Sequence, residues 1–232
     1  MEPKRAEPMW TGVMRHLVDR IVAGRYPEGS LLPNEALLGE EFRVSRSVVR
    51  EATKVLGEKG LAVVERGNGI RVAQKRAWRS LDPVVLAARL RGPDSATVLR
   101  ELFVLRKSVE PELAALAAQN SDTEAFIRLS ACVQRLVDAL GDEERYLAAD
   151  LAFHEAIVEA SGVELAQDFF GAISDPLLVS RSLTGEIEGA IENAHAYHLA
   201  LFEHIRHREA DAARAAMRDH LQWAEDHLEA EA

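Results

Sequence analysis

The chain has 232 residues, room for one large domain or two ordinary ones, and its 47% hydrophobic content is that of a globular protein. No apolar run reaches the length of a membrane span and Met1 to Pro8 carries no signal-peptide core, which argues against a membrane or exported class and predicts a cytoplasmic protein. The formal net charge of −10 is segregated: residues 10–76 hold 12 Lys and Arg against 8 Asp and Glu, a net of +4, whereas residues 77–232 hold 14 against 28, a net of −14. A basic N-terminal third on an acidic remainder suggests two domains, the first facing a polyanion. The lone cysteine, Cys132, excludes an internal disulfide and lies in an apolar helical pattern, as a buried thiol does.

In chain order, Val13, Leu17, Ile21 and Val22 recur at helical spacing after Trp10, and Gly24 ends that helix. Tyr26 to Pro33 is a turn-rich connector. Asn34 can cap a second short helix that turns Leu37, Leu38 and Phe42 inward. Arg43-Val44-Ser45 then makes a tight turn into a third helix, with Ser45 as N-cap, Val48, Val49, Ala52, Val55 and Leu56 at core spacing, and a stop at Gly60. Two short helices around such a turn are a helix-turn-helix. Arg46, Ser47 and Arg50 stand in the first turns of the third helix, where Arg and Ser can meet base edges or phosphates; the plain alternative is a solvated amphipathic helix with surface arginines. Beyond Gly60 the period changes to 2, and residues 61–66 and 70–73 read as two strands around Gly67-Asn68-Gly69. Arg66 and Arg71 beside that turn suit a wing against the DNA backbone, or a hairpin closing a small core.

Gly24, Tyr26 to Ser30, Leu32-Pro33, Glu35, Val44-Ser45-Arg46, Arg50-Glu51-Ala52, Leu56, Gly60-Leu61, Gly67-Asn68-Gly69 and Val72 together resemble the winged helix-turn-helix signature of GntR-family bacterial transcription regulators. The resemblance spans roughly residues 10–74. It implies that Ser45, Arg46, Ser47 and Arg50 meet DNA from the third helix and Gly67, Asn68 and Gly69 from the wing. Ala36 follows Glu35 where some members carry a basic residue, so one DNA contact of those members is absent here.

Residues 1–9 are then a tail, 10–74 a DNA-binding domain, 75–81 a charged linker, and 82–232 a helical domain that starts at Leu81-Asp82-Pro83. The periodicity predicts helices over 84–91, 95–119, 122–140, 143–161, 163–173, 175–208 with a break near 185, and 211–230. Ser121 with Glu124 reads as a capping box, Gly162 as a stop, and Pro111 as a bend or division of the second block. No solenoid-length repeat is present, so the fold class is mainly α: three helices and a hairpin wing, followed by an antiparallel all-α bundle.

Asp150 and His154 lie at i and i+4 on one helix face, and His198 and His220 lie on two later helices that an antiparallel turn near Glu209-Ala210 can bring together. One carboxylate oxygen and three imidazoles suit Zn²⁺ first, and also Ni²⁺, Co²⁺ or Mn²⁺. By spacing alone His195, His204, His207 and His227 compete for the same role, and an i,i+4 Asp/His pair such as Asp150 and His154 is more often a surface ion pair than a metal site. The stretches around Asp150-x-x-Phe153-His154, His198 and Asp211 to His220, with Leu105-Arg106 through Glu110-Pro111, resemble the FCD ligand-binding domain of FadR-type GntR regulators. That resemblance implies an antiparallel bundle in which Asp150, His154, His198 and His220 bind a metal. It also implies that Arg106, with Asp150, receives a carboxylate effector; the alternative for Arg106 is an i,i+4 pair with Glu110. Trp78, Leu81-Asp82-Pro83 and Val85-Leu86 resemble members that respond to sugar acids. Pocket residues between Arg181 and Asn193 have no assigned role.

The leading expectation is a ligand-responsive regulator, in the repressor arrangement, that binds double-stranded operator DNA as a homodimer and answers to a small carboxylate or sugar acid. The alternative is a metal-dependent hydrolase or oxygenase fused to a DNA-binding module. No nucleophile motif or nucleotide loop is present, so no catalytic residue is expected.

Overall fold

The computed structural model describes residues 8–65, 67–181 and 190–229. Arg66, most of the expected N-terminal tail and the break expected near 185 lie outside the described residues. The chain divides into two compact units, Met1–Ser95 and Ala96–Ala232.

The first unit holds α1 (Met9–Val22), α2 (Glu35–Phe42), α3 (Arg46–Glu58), the antiparallel strands β1 (Ala62–Glu65) and β2 (Gly69–Val72), and α4 (Pro83–Leu90). Asn34 caps α2 by accepting from the amides of Ala36 and Leu37. The core is one cluster in which Leu17, Leu38, Val49, Ala52, Leu56 and Leu61 are fully buried. Truncating one of those leucines to alanine costs about 2–5 kcal/mol. Leu37 departs from the expectation: it is exposed, because on so short a helix the i+4 pair Leu38 and Phe42 takes the inner face. Gly60 ends α3 with φ +74°, and a Cβ there would sit 2.1 Å from the Ala77 carbonyl oxygen, so only glycine fits. The 26–33 connector does more than turn. Amides of Gly29 and Leu32 donate to the carbonyls of Val72 and Ile70 at 2.9 and 2.8 Å, laying a short third edge on β2.

Residues 75–81, expected as a linker, follow this unit closely, and Trp78 packs on its core. Asp82 caps α4 through the amides of Val84 and Val85 and also holds Lys59 at 2.7 Å. Val85 and Ala88 of α4 belong to the same core cluster as α1. Thus α4, expected to open the helical domain, packs with the winged helix, because its apolar face matches α1.

The second unit is a helical bundle: α5 (Ser95–Asn120), α6 (Thr123–Asp138), α7 (Glu143–Ser161), α8 (Glu164–Arg181), α9 (Ala190–Arg206) and α10 (Ala210–Glu229). Short turns connect α6 to α7 and α9 to α10, and each pair packs side by side. The core is alanine-rich where helices approach closely (Ala114, Ala117, Ala118, Ala213) and filled by Leu129, Leu136, Phe153, Ile157, Leu201 and Leu221. Gly162 closes α7 in the left-handed region at φ 76°. Three details differ from the sequence expectation. The N-cap of α6 is Asp122, accepting from the Ala125 amide, while Ser121 turns back to the Ala117 carbonyl and Glu124 pairs with Arg128, so no capping box forms. Of the bend or division expected at Pro111, the division is absent, and α5 runs through it as one helix. α8 passes through Pro176, with no boundary at 173–175, because burial of Ile173 and Leu177 offsets the one backbone hydrogen bond the proline removes.

Candidate functional site

On α3, Ser45, Arg46, Ser47 and Arg50 are all exposed. The Ser45 hydroxyl accepts from the Val48 amide at 3.4 Å and shares a 2.8 Å hydrogen bond with Ser47, which fixes the start of the helix. The Arg50 guanidinium donates in a fork to the Glu35 carboxylate, at 3.0 and 2.7 Å, tying α3 to α2. That bond holds the Glu35 carboxyl below its ordinary range. Gly67, Asn68 and Gly69 form the exposed tip between β1 and β2, with Gly67 and Gly69 at φ 81° and 95°. Arg71 is held at the base of the hairpin, donating to Glu65 at 2.7 Å and to the Gly29 carbonyl, so it braces the wing.

The second constellation lies inside the helical unit. Asp150 and His154 share one face of α7 by their i,i+4 spacing. His198 lies eight residues before the end of α9 and His220 ten after the start of α10, so the two stand about 12 and 15 Å from the connecting turn on adjacent helices. All four side chains are 2% exposed or less, and one ligand-type atom of each lies within 4.8 Å of the others. His220 Nε2 is 3.2 Å from both His154 Nε2 and His198 Nε2; Asp150 Oδ1 is 2.9 Å from His198 Nε2 and 3.8 Å from His154 Nε2. Burial, and then the neighbouring His198 and His154, push His220 well below the ordinary imidazole range, so its ring is neutral. Its Nδ1 is buried with no hydrogen-bond partner. Three imidazole nitrogens and a carboxylate oxygen facing one point, away from water, are a donor set that a divalent cation satisfies at once and that protons alone satisfy poorly.

An outer layer supports these rings. His154 Nδ1 lies 2.8 Å from Glu110 Oε2, and His198 Nδ1 lies 3.1 Å from the Tyr146 hydroxyl. Glu110 is paired in turn by Arg106, one turn earlier on α5; both are 1% exposed. Burial alone would raise the Glu110 carboxyl, but Arg106 and His154 outweigh it and hold it below the usual range. Arg106 lies 5.5 Å from the Phe103 ring, and its Nη1 is buried without a hydrogen-bond partner. The pair with Glu110 therefore exists and still leaves part of the guanidinium available.

The competing histidines separate from the cluster. His204 pairs with Glu209, His207 with Glu203, and His227 bonds the Trp223 carbonyl. His195 stands edge-on to the Tyr146 ring, its basicity reduced by burial. Sequence reasoning missed Tyr146 and passed over Glu110 as a member of the site. The signal for Tyr146 was present: Tyr146, Asp150 and His154 recur every four residues on one face of α7. Of the Arg181–Asn193 stretch, 182–189 lie outside the described residues.

A winged helix-turn-helix and a bundle with a buried cluster of ligand-type side chains, carried on one chain, define a DNA-binding transcription regulator. Comparison with known proteins makes this particular. Residues 11–72 match the family model described as bacterial regulatory proteins, gntR family, and residues 101–222 match the FCD domain. The galactonate operon transcriptional repressor of Escherichia coli (strain K12) is 32% identical over 199 residues, covering 85% of this chain and 86% of that protein. The transcriptional repressor NanR of Klebsiella aerogenes is 30% identical over 213 residues, covering 90% and 81%. Among solved structures, Streptococcus agalactiae GntR superposes with a TM-score of 0.55 at 24% identity, covering 94% of this chain and 99% of that one. The chain belongs to the GntR family of bacterial transcription regulators, in the group that carries an FCD domain. It is a regulator and not an enzyme, which sets aside the hydrolase or oxygenase alternative. No helix among the described residues is long and apolar enough to cross a membrane.

Proposed function

We propose that this chain is an effector-responsive cytoplasmic repressor that binds a two-fold symmetric operator as a homodimer. One short recognition helix reads too few base pairs for useful specificity, so two copies are needed. Ser45, Arg46, Ser47 and Arg50 would meet base edges and phosphates, and Gly67, Asn68 and Gly69 would let the wing backbone approach the duplex closely. Asp150, His154, His198 and His220 would hold a divalent metal, Zn²⁺ first by donor type, with Ni²⁺, Co²⁺ or Mn²⁺ also suited. The observation that carries the reading is the buried convergence of these four side chains. Bound there, the cation would supply a fixed positive charge for an anionic effector. Arg106 would offer its uncommitted Nη1 to a carboxylate, beside Asp150. A sugar acid fits this class: a similar protein is named for the galactonate operon, and Trp78 to Leu86 resembles members that respond to sugar acids. Effector and DNA would each have to favour a different arrangement of the chain, and by linkage each would weaken the other.

Footprinting on the DNA upstream of the chain's own gene tests this reading. The expected result is one protected pseudo-palindrome whose half-sites lie about one helical turn apart, or a multiple of it. Protection that a sugar acid lifts in metal-loaded protein, and not after metal removal, supports the full account. No discrete protected site at moderate salt would refute it.

A further inference from the structure

The outer partners of His154 and His198 differ in chemistry. Tyr146 can donate or accept, so it serves either tautomer of His198. The Glu110 carboxylate can only accept. At 2.8 Å it therefore requires the proton of His154 on Nδ1, which leaves the Nε2 lone pair turned toward Asp150, His198 and His220. Glu110 does not join the cluster itself, and its other oxygen is taken by the Nε–H of Arg106. We infer that Glu110 is a positioning residue: it fixes His154 in the one tautomer able to bind a cation, and it joins that ligand physically to the guanidinium that faces the effector. This rests on the metal reading above and adds the device that keeps the cluster in a binding-competent form.

Glu110→Gln gives a sharp consequence. Arg106 has only donors, so it claims the new amide oxygen. The amide NH2 is then left facing His154 Nδ1, which must accept. The proton moves to Nε2, and the ring has no lone pair left for a metal. Replacing Arg106 as well, in Arg106→Met/Glu110→Gln, removes that competition. The amide can rotate its oxygen to His154 and restore the Nδ1–H form. The double variant also removes the buried unpaired charge that Glu110→Gln leaves behind, so it serves as the folded control.

The test uses the full chain stripped with EDTA. The Zn²⁺ dissociation constant is read by competition with a chromophoric chelator, and the His154 tautomer in the metal-free protein by ¹⁵N NMR. The expected result is Nδ1–H in the wild type and Nε2–H in Glu110→Gln. Zn²⁺ affinity should fall about 10–100-fold in Glu110→Gln, as for outer-shell partners generally, and recover in part in the double variant. A role in packing alone would not move the tautomer or give that recovery. Wild-type His154 found as Nε2–H overturns the inference, as does Glu110→Gln binding Zn²⁺ as tightly as the wild type. Wild-type protein that binds no Zn²⁺ yet shows Nδ1–H on His154 would instead refute the metal reading.

Discussion

His220 offers a perturbation whose two effects have opposite signs. Its Nε2 faces the other ligands, while its Nδ1 is buried without a partner. A buried polar group left unsatisfied costs about 1–3 kcal/mol, so without metal this ring is a liability. Leucine is close to it in volume and carries no polar atom. In EDTA, His220→Leu should therefore be no less stable than the wild type, with a gain of about 1 kcal/mol once lost contacts to His154 and His198 are deducted. With metal the order reverses. Free Zn²⁺ at one hundred times its dissociation constant stabilises the wild type by about 2.7 kcal/mol. For a unit of this size that is a rise of roughly 5–11 °C in melting midpoint. The variant, lacking one of four donors, should show little of that rise. Thermal melts of both proteins, in EDTA and in a buffered Zn²⁺ series, give all four values. A wild-type midpoint that ignores Zn²⁺ refutes the metal site. A metal-free variant destabilised by 3–5 kcal/mol, as for an ordinary core truncation, refutes the account of an uncompensated imidazole.

Arg46→Ala should weaken operator binding by about 1–3 kcal/mol; a loss confined to the specific site marks base reading, and an equal loss on all sequences marks phosphate contact. Glu35→Gln breaks the fork to Arg50 and removes a negative charge near the recognition helix, so nonspecific DNA affinity should rise and the specific-to-nonspecific ratio fall in competition anisotropy. Because that pair is solvent-exposed, its loss should leave the urea melt nearly unchanged. Gly60→Ala forces a Cβ against the Ala77 carbonyl at positive φ, and should lower the midpoint of the winged unit by several degrees; an unchanged melt would contradict the placement of that turn.

Much of this architecture is legible in the sequence because local chemistry and tertiary packing agree. Asn34 and Ser45 cap where a short side-chain acceptor meets an apolar repeat, and Gly162 stops α7 where only a left-handed residue fits. The Asp150 and His154 spacing places two donors on one face, but spacing alone leaves the histidines of α9 and α10 in competition; only the resemblance to the FCD domain singles out His198 and His220. The discrepancies arise where a neighbour outside the local window decides. Asp122 takes the cap expected at Ser121 because Ser121 finds the Ala117 carbonyl behind it. α4 follows α1 because of a shared apolar face that no linker composition reveals. Arg50 meets Glu35 across fifteen residues of sequence, and Glu110 meets His154 across forty-four. Such pairings depend on how helices pack, and no periodicity within one helix encodes them.

In the proposed function the metal cluster and an anionic effector together control DNA binding. Fluorescence anisotropy of a labelled operator fragment, with excess nonspecific competitor, tests it most directly. The titrants are a panel of sugar acids and small carboxylates, each run on Zn²⁺-loaded and EDTA-stripped protein. The account predicts that at least one of them releases the operator from the loaded protein, and that stripping the metal or changing Arg106 to alanine abolishes the release. Release that proceeds equally well without metal and in Arg106→Ala would contradict it.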